Sequence, residues 1–300
     1  MNPHRLKAYF LLLIVAAIWG AAVPIIKFTL GGIQPLPFLA YRFSISAVFS
    51  IAYFSIKGVK LPKPSSSLPL IFIYGLLAFT IALGALFTGL EKSTVLDLTL
   101  IGAIGPLVVA LGGLVFFKDR ITHREKLGIS IVVFGAFINA FSSIFTNNSN
   151  ARITGNLFII AFLLADSGAV LFAKRIVQKK IPPLTLTNLG FIVGALTLIP
   201  FAIYVHGGET IINLITNLPL KYHFGVWYMA LLSGSLAYFL YVRAYKSIEV
   251  SEATLFNYLQ PIFAVPLAIF WLGEKITFPF IIGAILITSG VVIAEFKKKG

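Results

Sequence analysis

The run SEATLFNYLQPIFAVPLAIFWLG at residues 251–273 is apolar except where a few polar side chains interrupt it, chiefly Asn257, Tyr258 and Gln260 just before Pro261. On a helix, Ser251, Thr254, Asn257, Tyr258 and Pro261 share a face, and Gln260 lies about 60° from Asn257 around the axis. Carboxamides and a phenol in such surroundings either contact a polar ligand or hydrogen-bond a neighbouring helix. Asp166 stands in the middle of IIAFLLADSGAVLF and is the only acid so deep in an apolar run. An ionisable group at a bilayer centre costs from about 2.5 to more than 10 kcal/mol, so it faces a cavity or a partner. Two roles fit Asp166: a proton-coupling or cation-binding carboxylate, or a structural partner to a buried base or to backbone near Ser167 and Gly168.

Arg42 carries the planar donor fork that matches a carboxylate, and it equally reaches helix-end carbonyls or snorkels toward an interface. Tyr238, Tyr241 and Tyr245 recur at i, i+3 and i+7 on one helical face, where they line a cavity or join an interfacial aromatic belt. Trp19 lines the same cavity or packs in the core or against lipid. Lys27 and Lys174 sit near the ends of apolar runs and read as snorkelling residues. Asp97, Asp119, Glu252 and Glu274 also fall at helix ends; for Asp97 and Glu252, in first turns, an acid is favoured by the helix dipole.

Other chemistries are excluded by composition. There is no cysteine, so thiolate metal sites, disulfides and cysteine nucleophiles are absent. The four histidines, His4, His123, His206 and His223, lie at helix ends or in loops without metal-site spacing. A catalyst within the membrane needs a nucleophile with its base, or a metal cluster, and neither is present; the chain reads as a non-enzyme that calls for no cofactor.

The elements that must carry these side chains are membrane helices. The 300 residues are 58% hydrophobic and 11% charged, with a mean hydropathy of +0.96, against about 25% charged residues in a soluble domain. Ten apolar segments are expected near 8–29, 35–56, 68–89, 94–117, 126–145, 155–175, 183–205, 223–245, 252–272 and 278–296. The first is too long for a signal peptide and reads as the first span. The net charge of +14 sits in short clusters between apolar runs, such as KGVKLPK at 57–63 and KDRITHREK at 118–126, and not on a basic face interleaved with aromatics. That placement excludes nucleic acid and marks topology. Eighteen Lys and Arg fall on the side of the N-terminus and five on the other, which places both termini in the cytoplasm of a multi-pass cell-membrane protein.

The two halves of the chain repeat one another. At an offset of 155, DRIT at 119–122 falls on EKIT at 274–277, Pro106 on Pro261, Asp97 on Glu252, and Gly128 and Gly135 on Gly283 and Gly290. At an offset of 147, Lys27 falls on Lys174 and Trp19 opposite Asp166. Five helices per copy is an odd number, so the copies, 8–145 and 155–296, insert with opposite orientation. Inverted repeats are an architecture of secondary transporters, with the substrate site near the membrane midplane. Asn257, Tyr258 and Gln260 fall on Gly102, Ala103 and Gly105, so polarity is concentrated in one copy, while Pro106 and Pro261 kink helices in both and are candidate hinges.

IWG at 18–20, Arg42-Phe43, YFLYVRAYKSIEVSEATLF at 238–256 and PIFAVPLAIFWLGEKIT at 261–277, with its echo PLVVALGGLVFFKDRIT at 106–122, resemble the EamA-type branch of the drug/metabolite transporter superfamily. The resemblance covers residues 8–296 and implies ten helices and transport of small organic solutes, often export of amino acids or related metabolites. Asp166 stands where the family often has Trp, and Lys118-Asp119 where Gly-Glu is usual. The expected substrate-contacting residues are Trp19, Arg42, Asp166, Tyr238, Tyr241, Asn257, Tyr258 and Gln260. A flippase for a lipid or lipid-linked sugar, and a non-transporting receptor, are the competing readings.

Overall fold

The computed structural model describes residues 3–57, 67–117, 122–141, 149–178, 181–244 and 255–295, which form helices joined by short turns. In chain order the described helices are α1 (Pro3–Leu30), α2 (Pro35–Lys57), α3 (Leu68–Lys92) and α4, in two pieces, Val95–Gly102 and Gly105–Phe117. Next come α5 (His123–Phe141), α6 (Ser149–Gln178), α7 (Pro183–His206) and the short α8 (Gly208–Thr216). The last are α9 (Leu220–Ala244), α10 (a tight 3-10 turn at Leu255–Leu259 continuing as Gln260–Phe270) and α11 (Phe278–Glu295). Seven helices, α1–α4, α6, α7 and α9, are long and apolar enough to cross a membrane, and Phe256–Phe270 and Phe278–Ala294 are shorter apolar helices. Large apolar side chains such as Phe10, Ile56, Phe134, Leu196 and Ile285 face outward, where hydrocarbon in place of water makes their exposure favourable.

Two elements differ from expectation. α6 begins at Ser149, ahead of residue 155, so Arg152 belongs to its first turn and not to a loop. α8 is an additional helix: GETIINLIT follows Gly207, whose φ of 80° turns the chain, and packs Ile211 against Ala40 and Ala202. Its run is too short to register as a span.

Glycines set the closest helix contacts. A Cβ on Gly128 would sit 2.5 Å from the Gly290 carbonyl oxygen, and one on Gly135 would sit 3.1 Å from that of Gly283. Gly128 is the offset-155 counterpart of Gly283, and Gly135 that of Gly290. The α5–α11 contact is therefore reciprocal, the geometry of a two-fold axis.

Irregular backbone also recurs in matching places. α3 is wound in wider, π-type turns at Leu76–Ile81, and α9 at Tyr228–Leu236. α4 breaks at 103–104, and α10 changes from 3-10 to α winding at Gln260. Pro106 and Pro261 each stand second in the α-helical piece that follows. The bend therefore precedes each proline. In that position a proline has no helical hydrogen bond to lose, so it starts a helix and does not kink one.

Candidate functional site

Where α1 crosses α9, the two helices exchange hydrogen bonds: Trp19 Nε1 donates to the Ser233 carbonyl at 3.0 Å, and the Tyr228 hydroxyl donates to the Ile18 carbonyl at 2.8 Å. Ser233 lies in the widened part of α9, where the usual i→i+4 ladder is interrupted and a carbonyl is left for an outside donor. The indole packs 5.3 Å from the Tyr238 ring and 5.1 Å from that of Tyr241, and Phe191 of α7 closes on Tyr238 at 6.2 Å. The structure thus joins three of the expected residues, Trp19, Tyr238 and Tyr241, in one aromatic cluster.

Two charged residues flank this cluster. Arg42 of α2 is buried and lies within electrostatic reach of Tyr238. Its guanidinium rests 5.3 Å from the Phe43 ring centre, and its Nε and Nη1 have no hydrogen-bond partner among the described residues. Asp166 of α6 interacts electrostatically with Tyr238 and with the buried Tyr74 of α3. Its side chain is nevertheless exposed. A residue that is exposed yet flanked by core tyrosines faces open space inside the bundle. Gly84, Gly102 and Gly168 agree with such a space, since a Cβ on any of them would meet nothing within 4 Å. Tyr74 was not anticipated: alone in LIFIYGLLAF it has the look of an interfacial tyrosine.

Asn257 and Gln260 use part of their capacity on each other, with Gln260 Nε2 donating to Asn257 Oδ1 at 3.3 Å. They lie on the neighbouring face of α1: Gly20 backs onto the Gln260 carbonyl, where a Cβ would approach to 2.6 Å. Tyr258 is half-buried. A Cβ on Gly102, the counterpart of Asn257, would meet nothing within 4 Å, whereas one on Gly105, the counterpart of Gln260, would come to 3.3 Å from Leu163. Asp119, Tyr245, Ser251, Glu252 and Thr254 lie outside the described residues.

A second polar group, at the end of the bundle away from both chain termini, was read differently from the sequence. Asp97 is fully buried. It accepts from Arg152 Nε at 2.6 Å and Nη2 at 2.9 Å, from Asn139 Nδ2 at 3.0 Å and from the Ser93 hydroxyl at 3.1 Å. Ser93 also contacts Asn156 Oδ1, and Asn156 Nδ2 donates to the Ala140 carbonyl at 2.8 Å. Asp97 does lie in the first turn of α4, and beyond that placement it is the hub of a polar network. Lys27 does not snorkel: its Nζ donates to the carbonyls of Leu90, Glu91 and Ser93 at 2.7, 3.1 and 2.6 Å, satisfying the open end of α3. The Glu274 carboxylate accepts the first amides of α4, Val95 at 2.8 Å and Leu96 at 3.0 Å. Burial pushes the Glu274 carboxyl above the usual glutamate range, opposed by those two amides and by Lys27. The α3–α4 turn is thus held from both sides, by a cation on its carbonyls and an anion on its amides.

Among the described residues no group of His, Cys, Asp or Glu could hold a metal ion. The arrangement offers aromatic rings, a buried guanidinium and an exposed carboxyl near one another, which suits binding better than bond-making.

The EamA-like transporter family model matches residues 6–141 and again 153–296. An uncharacterised transporter of Bacillus subtilis is 27% identical, over 97% of this chain and 94% of its own length. A probable amino-acid metabolite efflux pump of Salmonella typhimurium is 24% identical, over 97% and 95%. One solved crystal structure shares the fold at a TM-score of 0.62 and 16% identity, covering 97% of this chain and 98% of that one.

Proposed function

The chain belongs to the EamA-like transporter family, and on that premise we propose that it is a secondary transporter exporting small organic solutes such as amino acids or related metabolites. Two five-helix repeats of opposite orientation, 8–145 and 155–296, make ten crossings with both termini in the cytoplasm. The observation that carries the reading is Asp166, an exposed acid in the middle of α6 within electrostatic reach of Tyr74 and Tyr238. A charged residue at that depth, in a helix that crosses the membrane, marks a pathway or site. The twofold match of the family model and the reciprocal Gly128–Gly290 and Gly135–Gly283 contacts support the repeats. Trp19, Arg42, Tyr238, Tyr241, Asn257, Tyr258 and Gln260 complete the proposed substrate contacts, with the breaks before Pro106 and Pro261 as the points where the repeats bend. The probable efflux pump of Salmonella typhimurium directs the substrate choice toward amino-acid metabolites.

The test is flux through the purified protein in proteoliposomes. Preloaded amino acid should exchange with labelled external amino acid faster than in empty liposomes. Equal rates for every solute tried would remove the transport reading.

A further inference from the structure

The two arginines on the inner faces of this bundle are treated in opposite ways. Arg152 makes a two-pronged pair with Asp97 at 2.6 and 2.9 Å. Arg42 is only 4% exposed, and its Nε and Nη1 are buried with no acceptor among the described residues. One helical turn along the same face of α2, the Ser46 hydroxyl is also buried without a partner among the described residues. A guanidinium cannot lose its charge, and leaving buried donors unmade costs the full desolvation of each group. A fold that satisfies Arg152 so thoroughly has the means to pair Arg42. Asp166 is the acid that borders the same cluster, yet it pairs with no base among the described residues, and both charges lie within electrostatic reach of Tyr238. Each therefore lacks a counter-charge among the described residues, and both lie within electrostatic reach of one tyrosine.

We propose that Arg42 is the receptor for a substrate carboxylate, and that Asp166, beside the same tyrosine, faces the cationic pole of that substrate. This rests on the transport reading and deepens it: the preferred solute is dipolar, with a carboxylate and an ammonium on one small skeleton. The guanidinium fork donates to two carboxylate oxygens in parallel, and charge-assisted bonds of this kind are shorter and stronger than neutral ones. The Trp19, Tyr238 and Tyr241 rings lie beside the two poles and offer flat apolar surface to the remainder of the solute. Discrimination follows from the same orphaned groups, because a site built to bond a charged atom rejects the analogue that lacks it. An amide in place of the acid leaves Arg42 unpaired again, and an acylated amine does the same to Asp166.

The experiment is a binding titration on the purified full-length protein, using free amino acids and, for each that binds, its carboxamide and its N-acetyl derivative. In wild type the amide should bind at least about tenfold more weakly than the acid, the factor that corresponds to about 1.4 kcal/mol. The N-acetyl derivative should lose a similar factor. Arg42→Gln should bind acid and amide alike, Arg42→Lys should keep a reduced preference for the acid, and Asp166→Asn should cease to distinguish free from acetylated amine. Wild type binding amide and acid equally would overturn the proposal, as would Arg42→Gln keeping the full preference. If the Arg42 variants do not fold, the wild-type series decides alone. Proteoliposome flux separates the two readings: transport of uncharged or purely cationic solutes without amino-acid binding overturns this proposal and leaves the transporter standing. No flux and no binding for any solute removes both.

Discussion

Arg152 and Asp97 form a two-pronged ion pair, Nε to Oδ2 at 2.6 Å and Nη2 to Oδ1 at 2.9 Å, with the carboxylate fully buried and the arginine partly so. The pair ties the first turn of α6 to the first turn of α4, and Asn139 brings in the end of α5. Breaking a buried pair from one side costs about 3–5 kcal/mol, because the remaining charge is uncompensated. Asp97→Ala is therefore expected to lower the thermal midpoint of the detergent-purified protein sharply, and Arg152→Gln by less, since Asn139 and Ser93 still bond the carboxylate. Thermal melts of the two variants check the order.

Glu274 gives a pH prediction. Its carboxyl titrates above the usual glutamate range in the folded protein, with burial as the main cause. A folded state that holds a proton more tightly than the unfolded chain gains stability as pH falls. That gain is complete below the usual glutamate pKa, near ~4.3, and is lost as pH rises through the raised folded value. The midpoint of wild type relative to Glu274→Gln should accordingly increase on acidification from neutral pH. Hydrogen exchange at Val95 and Leu96, whose amides the carboxylate accepts, should be faster in Glu274→Ala.

The long helices were legible because apolar runs and their Pro and Gly punctuation act locally. Pro106 and Pro261 marked the irregular points of α4 and α10, although a proline in the first turn looks the same in sequence as one that kinks a helix. The aromatic cluster was legible as separate candidates, since Trp19 and Tyr238 are 219 positions apart and only the fold brings their rings to 5.3 Å. Partnership was not legible. Lys27, Arg42 and Arg152 are all bases set in or beside apolar runs, and nothing local separates the one that caps α3, the one without an acceptor for Nε and Nη1 among the described residues and the one bound to Asp97. Arg152 was further obscured by the polar start of α6, SNARITGN, which reads as a loop until its hydrogen bonds to Asp97 are seen.

The glycine seam predicts an asymmetry between counterpart positions. A Cβ on Gly128 would press to 2.5 Å on the Gly290 oxygen and 2.7 Å on the Ala294 nitrogen, both backbone atoms. On its counterpart Gly283 the nearest atom, the Gly135 oxygen, is at 3.1 Å. Overpacking costs about 1–3 kcal/mol, so Gly128→Ala should destabilise markedly and Gly283→Ala only slightly. Paired thermal melts check this, and equal losses would mean that α5 and α11 are free to move apart.

Asp166 also yields a prediction about energy coupling. It is an exposed acid in the middle of α6, with no ion-pair partner among the described residues. In that setting a proton is the smallest counter-charge available when no substrate is bound, so exchange of a proton for substrate at this carboxyl would link flux to a pH gradient. Asparagine keeps the shape and some hydrogen bonding but cannot exchange the proton. In proteoliposomes, Asp166→Asn at saturating substrate should therefore retain exchange across the membrane and lose accumulation driven by an imposed pH difference. Accumulation that persists in the variant, with its pH profile unchanged, would show that coupling lies elsewhere and that Asp166 serves the substrate alone.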